Sequence, residues 1–129
     1  SRRAGRRFPV QMKGLDASIL LRYLLDDDPV QSPAATRWIL RECSPQSPGF
    51  INHIVLCELT WVLCKHLLHC PEFRFQNPEM VWRAVDAHEQ HNRDIADTLI
   101  NATNRSHGCT ATATFDQHVS RAAGFVLVR

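Results

Sequence analysis

Met12-Lys13-Gly14-Leu15-Asp16-Ala17-Ser18-Ile19-Leu20-Leu21-Arg22-Tyr23-Leu24-Leu25 is a short run that stops at an acid and restarts as a leucine-rich pattern. Residues 12–15 read as a strand ending at Asp16. Ser18 is placed to cap a helix over 19–25. Asp26-Asp27-Asp28-Pro29 ends that helix. Three adjacent acids oppose the dipole at a helix C-terminus, so they are expected in a solvated turn. The unit is therefore strand, acid, helix.

The same alternation continues along the chain. A second helix is expected over 33–42, with Pro33 in its first turn. Ser44-Pro45-Gln46-Ser47-Pro48-Gly49 is a loop. Phe50 and Ile51 form a short strand, and a long helix over 54–68 stops at Pro71. Residues 73–76 read as a link. Pro78 and Glu79 open a helix over 80–89, whose pattern breaks over 88–92. A helix over 94–104 has Ile95, Leu99 and Ala102 on one stripe. Gly108 marks a turn, residues 109–114 are small and β-branched as an inner strand is, and Asp116 follows. One helical turn over 119–122 and a strand over 125–128 close the chain. Short strands alternating with helices mean an α/β fold with a mainly parallel sheet and helices on both faces. In such folds the reactive groups lie past the carboxyl ends of the strands. Asp16 and Asp116 are both expected there.

Composition bounds the alternatives. The chain has 129 residues, 44% hydrophobic and 22% charged, which fits one globular domain and excludes disordered and collagen-like chains. No apolar run approaches the roughly 18 residues that a membrane span needs. Five cysteines, at 43, 57, 64, 70 and 109, form no CxxC pair and point to a reducing cytoplasm. Cys57 and Cys64 are expected as buried thiols on one helix face. His66, His69 and Cys70 lack a partner pair at zinc-ligand spacing. The net charge of +2 comes from the tail: removing Arg2, Arg3, Arg6 and Arg7 takes the 15 basic residues to 11 against 13 acidic, a net −2. Residues 1–11 are expected to be a basic tail upstream of a start at Met12, the other reading being an arm that touches nucleic acid. The single domain is expected over 12–129.

Two further acids are out of place for surface decoration. Glu58 interrupts Ile54-Val55-Leu56-Cys57-Glu58-Leu59-Thr60-Trp61-Val62-Leu63, where burying a lone acid is costly unless something binds it. Asp97 lies early in its helix, with Asp94 one turn before on roughly the same face. Asp16, Glu58, Asp97 and Asp116 converging on one edge would repel one another, and a hard divalent cation, magnesium or manganese, resolves that. Each acid also has a plainer reading: a strand-end turn for Asp16, an outward-pointing side chain for Glu58, a first-turn dipole partner for Asp97, a turn cap for Asp116. No glycine-rich phosphate loop and no H-E-x-x-H is present.

The chain resembles the PIN-domain nucleases, and among them the VapC-type toxins of toxin–antitoxin pairs. The resemblance rests on Gly14-Leu15-Asp16-Ala17-Ser18, on Val55-Leu56-Cys57-Glu58-Leu59, on Asp94-Ile95-Ala96-Asp97-Thr98-Leu99-Ile100, on Thr112-Ala113-Thr114-Phe115-Asp116 and on the closing Phe125-Val126-Leu127. It departs from the family at Ser18, where Asn is more usual, and at Thr98, where Ala is. It implies a three-layer α/β/α sandwich and a magnesium- or manganese-dependent endoribonuclease. Asp16, Asp97 and Asp116 would be the main metal ligands, with Glu58 completing the shell directly or through water. Asp94, Ser18 and Thr114 would support them; local capping and strand pairing are the plainer roles of the two hydroxyls. Water would attack phosphorus, leaving a 5′ phosphate and a 3′ hydroxyl. Lys13, Arg22, Arg37, Arg41 and Arg93 are candidate phosphate contacts. Transfer RNA and ribosomal RNA are the substrate classes implied. The implied partners are a second copy in a homodimer and a cognate VapB-type antitoxin, with the helices over 19–25 and 34–40 as its groove or as plain core helices. Trp38 and Trp82 are the aromatics to watch at interfaces, with core packing the plainer role of Trp82. The rivals are a PIN-like domain that binds without cutting, a PIN-like nuclease acting on DNA, and a non-enzymatic α/β domain.

Overall fold

The computed structural model describes residues 11–129; of the tail expected over 1–11, residues 1–10 lie outside the described residues, and its last position, Gln11, accepts a hydrogen bond from Ser47 Oγ at its carbonyl (2.7 Å). The order is β1 (Lys13–Gly14), α1 (Ala17–Leu25), α2 (Gln31–Glu42), β2 (Gly49–Ile51), α3 (His53–Leu56), α4 (Trp61–Leu68), β3 (Phe73–Phe75), α5 (Pro78–His91), α6 (Ile95–Ser106), β4 (Thr112–Thr114), a 3-10 turn (Val119–Arg121) and β5 (Phe125–Leu127). Every strand pairing is parallel. The fold is α/β, with a mainly parallel sheet flanked by helices in the three-layer arrangement. Its hydrogen bonds divide the strands into a sheet of order β1-β2-β3 and a pair β4-β5.

The core gathers around the three-stranded sheet. Leu20 of α1, Ile39 of α2, Ile51 of β2, Leu56, Leu67, and Val81 and Val85 of α5 are all fully or almost fully buried. Packing this tight in rotamer minima is the main source of stability. Helices α1 and α2 pack on each other. The acids between them do more than hydrate a turn. Asp26 takes the left-handed conformation that ends α1 (φ 50°), and Asp28 Oδ1 accepts from the Val30 and Gln31 N–H groups (2.9 and 2.7 Å). Those two bonds hold the Asp28 carboxyl below its ordinary range.

Five sequence expectations change. Residues 73–76 are no link: Phe73 and Phe75 are buried while Arg74 points out, and the segment pairs with β2. Three residues were too few for the alternation to show. The helix over 54–68 is broken at 57–60, where Thr60 is extended (ψ 159°) and begins α4. The break turns Glu58 to solvent, and it takes Cys57 and Cys64 off any common face: Cys64 is buried, Cys57 exposed. The helix opened by Pro78 runs unbroken through His91 and ends where Asn92 turns left-handed (φ 55°). Asp16, not Ser18, holds the N-cap position of α1. Trp38 packs against the core, and Trp82 stands edge-on to His69 (ring centroids 5.3 Å apart).

Candidate active site

Helix α6 carries the centre of the site. Asp94 is its N-cap: Oδ1 accepts from the Asp97 N–H (3.0 Å), and Thr98 Oγ1 donates to the Asp94 carbonyl (2.9 Å). The cap satisfies one orphan donor of the first turn, the Asp97 N–H, and fixes Asp94 beside Asp97. A cavity of about 190 Å³ opens here, lined by Asp94, Asp97, Arg93 and His118 among others.

Asp116 comes from the other side. It lies two residues past β4, where its N–H donates to Thr114 Oγ1 (3.1 Å) and its Oδ1 accepts from the His118 and Val119 N–H groups (2.8 and 3.1 Å). Asp116 thus caps the turn that follows and holds His118 over the cavity. Side-chain bonds tie β4 to α6. Thr112 Oγ1 donates to Asn101 Oδ1 and accepts from Asn104 Nδ2 (both 3.0 Å), while Asn101 Nδ2 donates to the Ala123 carbonyl (3.3 Å). Gly124 completes this clasp. Its φ is +92°, and a Cβ there would lie 2.5 Å from Asn101 Nδ2, so only glycine fits.

The charges register this gathering. The Asp97 carboxyl is raised above its ordinary range, first by desolvation and then by the Asp94 and Asp116 carboxylates, with His118 pulling the other way. The Cys57 thiol is pushed up by partial burial and then by Asp94, Asp97 and Glu58. Asp94, Asp97 and Asp116 therefore share one neighbourhood, and Glu58 borders it across Cys57. Glu58 reaches that border because of the helix break; its N–H donates to the Val55 carbonyl (3.0 Å) and its side chain is exposed.

Asp16 stands at the carboxyl end of β1, where Oδ2 accepts from Ser18 Oγ (2.8 Å). Its other oxygen, like the second oxygens of Asp94 and Asp116, has no hydrogen-bond partner among the described residues. These all-oxygen donors suit a hard divalent cation. Among the described residues no three His, Cys, Asp or Glu side chains come together closely enough to hold a metal ion.

The cations expected from sequence scatter. Lys13 and Arg41 are both paired with Glu42 (2.9 Å each), and Arg22 with Asp27 (3.0 Å). Arg37 lines a separate groove with Tyr23 and His66, leaving Arg93 at the acid cavity. Sequence reading missed His118 and the clasp. The spacing Asp116-x-His118 and the pair Asn101 and Asn104 on one helix were the available signals.

The PIN domain family model matches residues 14–125. The chain belongs to the PIN domain family. No curated protein and no solved structure matches it. Membership supports nuclease activity in general, and PIN domains generally use divalent metal ions for catalysis. No helix among the described residues is long and apolar enough to cross a membrane.

Proposed function

We propose that this PIN domain is a metal-dependent endoribonuclease of the VapC-toxin type. The carrying observation is the grouping of Asp94, Asp97 and Asp116 where α6 begins and β4 ends, with the Asp97 carboxyl raised above its ordinary range by desolvation and then by its neighbours' charge. Such repulsion is a cost to the fold that a bound cation offsets.

Asp97, Asp116 and Asp16 would hold magnesium or manganese, with Glu58 completing the shell. The ion would supply an acidified water and positive charge at phosphorus. Asp94 keeps Asp97 in place through the helix cap. Ser18 orients Asp16, and Thr114 orients the Asp116 backbone. The hydrolysis leaves a 5′ phosphate and a 3′ hydroxyl. A VapB-type antitoxin, a homodimer and a cytoplasmic setting belong to the same reading. Helices α1 and α2 bury Leu20 and Ile39 in the core while leaving Leu25 and Leu40 half or more exposed (51% and 71%). That outer face is the proposed antitoxin contact.

The test is cleavage of a total RNA pool with magnesium or manganese and with excess chelator. Cutting that needs the metal and is lost in Asp97→Asn and Asp16→Asn supports the reading. Full activity in chelator or in both variants overturns it. Growth arrest on induction, relieved by a neighbouring small gene product, tests the toxin assignment.

A further inference from the structure

A second depression adjoins the acid cavity. A groove of about 530 Å³ runs between α5 and α6, with Asn77, Glu79 and Arg83 on one wall and Thr98, Asn101 and Arg105 on the other. Thr98 lines both this groove and the acid cavity, so the two meet at that residue. Along α6, Asp97, Asn101 and Arg105 follow at i, i+4 and i+8 and share one face. At 1.5 Å rise per residue, Arg105 lies about 12 Å farther along than Asp97.

The cationic end of this track is available. The one ion pair of Arg83 among the described residues is with Glu79, at 3.3 Å, with both side chains about three-quarters exposed (75% and 77%). Such a pair contributes little and is readily exchanged for another anion. The Arg105 guanidinium has no ion pair or hydrogen bond among the described residues. Helix-dipole complementarity accounts for an arginine in the last turn of α6. It does not account for Arg83, which sits within α5 (Pro78–His91) and faces the same groove. The acid cavity repels phosphate, so a polyanion crossing it needs positive charge close by on a continuous surface.

We propose that the α5–α6 groove is the track for the single RNA strand beside the cleaved bond, with Arg83 and Arg105 holding its phosphates. The inference rests on the nuclease reading above and deepens it by assigning where the strand lies.

The experiment uses the full chain and a fluorescent single-stranded oligoribonucleotide. Binding is followed by anisotropy from 50 to 200 mM salt in chelator, and cleavage is followed separately with metal. Arg83→Gln and Arg105→Gln are each expected to weaken binding several-fold and to flatten the log–log salt slope by about 0.7, one phosphate contact on a single strand. In cleavage, KM rises and kcat holds. Lys65→Gln, which removes one charge from the Glu89 pair elsewhere on the surface, controls for net charge and keeps the wild-type slope. If the wild type cuts RNA while the double variant keeps wild-type affinity, slope and KM, the groove assignment is overturned and the nuclease reading stands. If the wild type cuts no RNA with either metal, the nuclease reading itself fails. Equal loss of slope in Lys65→Gln also overturns the groove assignment.

Discussion

The sheet β1-β2-β3 and the pair β4-β5 are built from similar short parallel strands but to different ends. Around the first, side chains are buried to completion. Beyond Leu99, no residue among the described ones is buried, and Phe115, Val126 and Val128 stand out in solvent (81%, 50% and 41% exposed). The first region is held by apolar area, which is insensitive to small displacements of any one polar atom. The second is held to α6 by directional bonds through Asn101, Asn104 and Thr112, which fix the bearing of Asp116 toward Asp97. Stability and positional precision come from different parts of one chain.

The sharpest test of this division is a pair of opposite failures. Asp97→Asn is expected to cut activity by about 10³-fold, the several kcal/mol that charge organised by a metal contributes at about 1.4 kcal/mol per tenfold. The same variant is expected to unfold at a slightly higher temperature, because it removes a carboxylate disfavoured by desolvation and by its neighbours. The sign follows from the raised pKa. The folded state holds this proton more tightly, so the ionised form subtracts stability as pH rises above 3.8, the group's ordinary value. Leu20→Ala or Ile51→Ala should do the reverse. Each removes a side chain with no exposure, at a cost of about 2–5 kcal/mol in denaturant unfolding, while activity per folded molecule stays near wild type.

The clasp gives the intermediate case. Thr112→Val breaks two hydrogen bonds and is expected to cost about 1–2 kcal/mol at most. Amide exchange should speed up in β4 and β5 but not in β1-β2-β3, and cleavage should fall more than global stability does. Uniform acceleration across both regions would merge them into one cooperative unit.

A pH effect belongs to the first region. His53 opens α3 and is buried, with neither ring nitrogen hydrogen-bonded among the described residues. Burial lowers its pKa below 6.5, with the nearby Asn77 backbone opposing the shift. The unfolded chain therefore binds this proton first. Stability is whole above about pH 6.5 and declines as pH falls below it, levelling once the folded form is protonated as well. His53→Gln should flatten that limb of a melting-temperature profile. The smallest effect is expected from Val126→Ala, within about 0.5 kcal/mol, as for a surface position.

How far the sequence shows all this follows the same division. The strand–acid–helix alternation reveals the fold class because burial writes a periodic pattern, and Asp16, Asp97 and Asp116 stand out because they end or begin elements. Phe73–Phe75 escaped because a three-residue strand offers one alternation only. The break after Leu56 escaped because α3 and α4 are both apolar, and a change of direction leaves no mark on composition. The clasp was invisible for a different reason: Asn101 and Thr112 meet only once the chain has returned. The candidate phosphate contacts were chosen on charge alone, and sequence does not show that Lys13 and Arg41 pair with Glu42.

The Asp94 cap has one more consequence. Asp94 lines the cavity and also closes the first turn of α6, where its Oδ1 accepts from the Asp97 N–H and its second oxygen is left unpartnered among the described residues. Whatever engages the free oxygen also restrains the cap. The Asp97 amide is therefore a built-in reporter: its hydrogen exchange should slow when the cavity fills, giving a readout of occupancy that needs neither turnover nor a label.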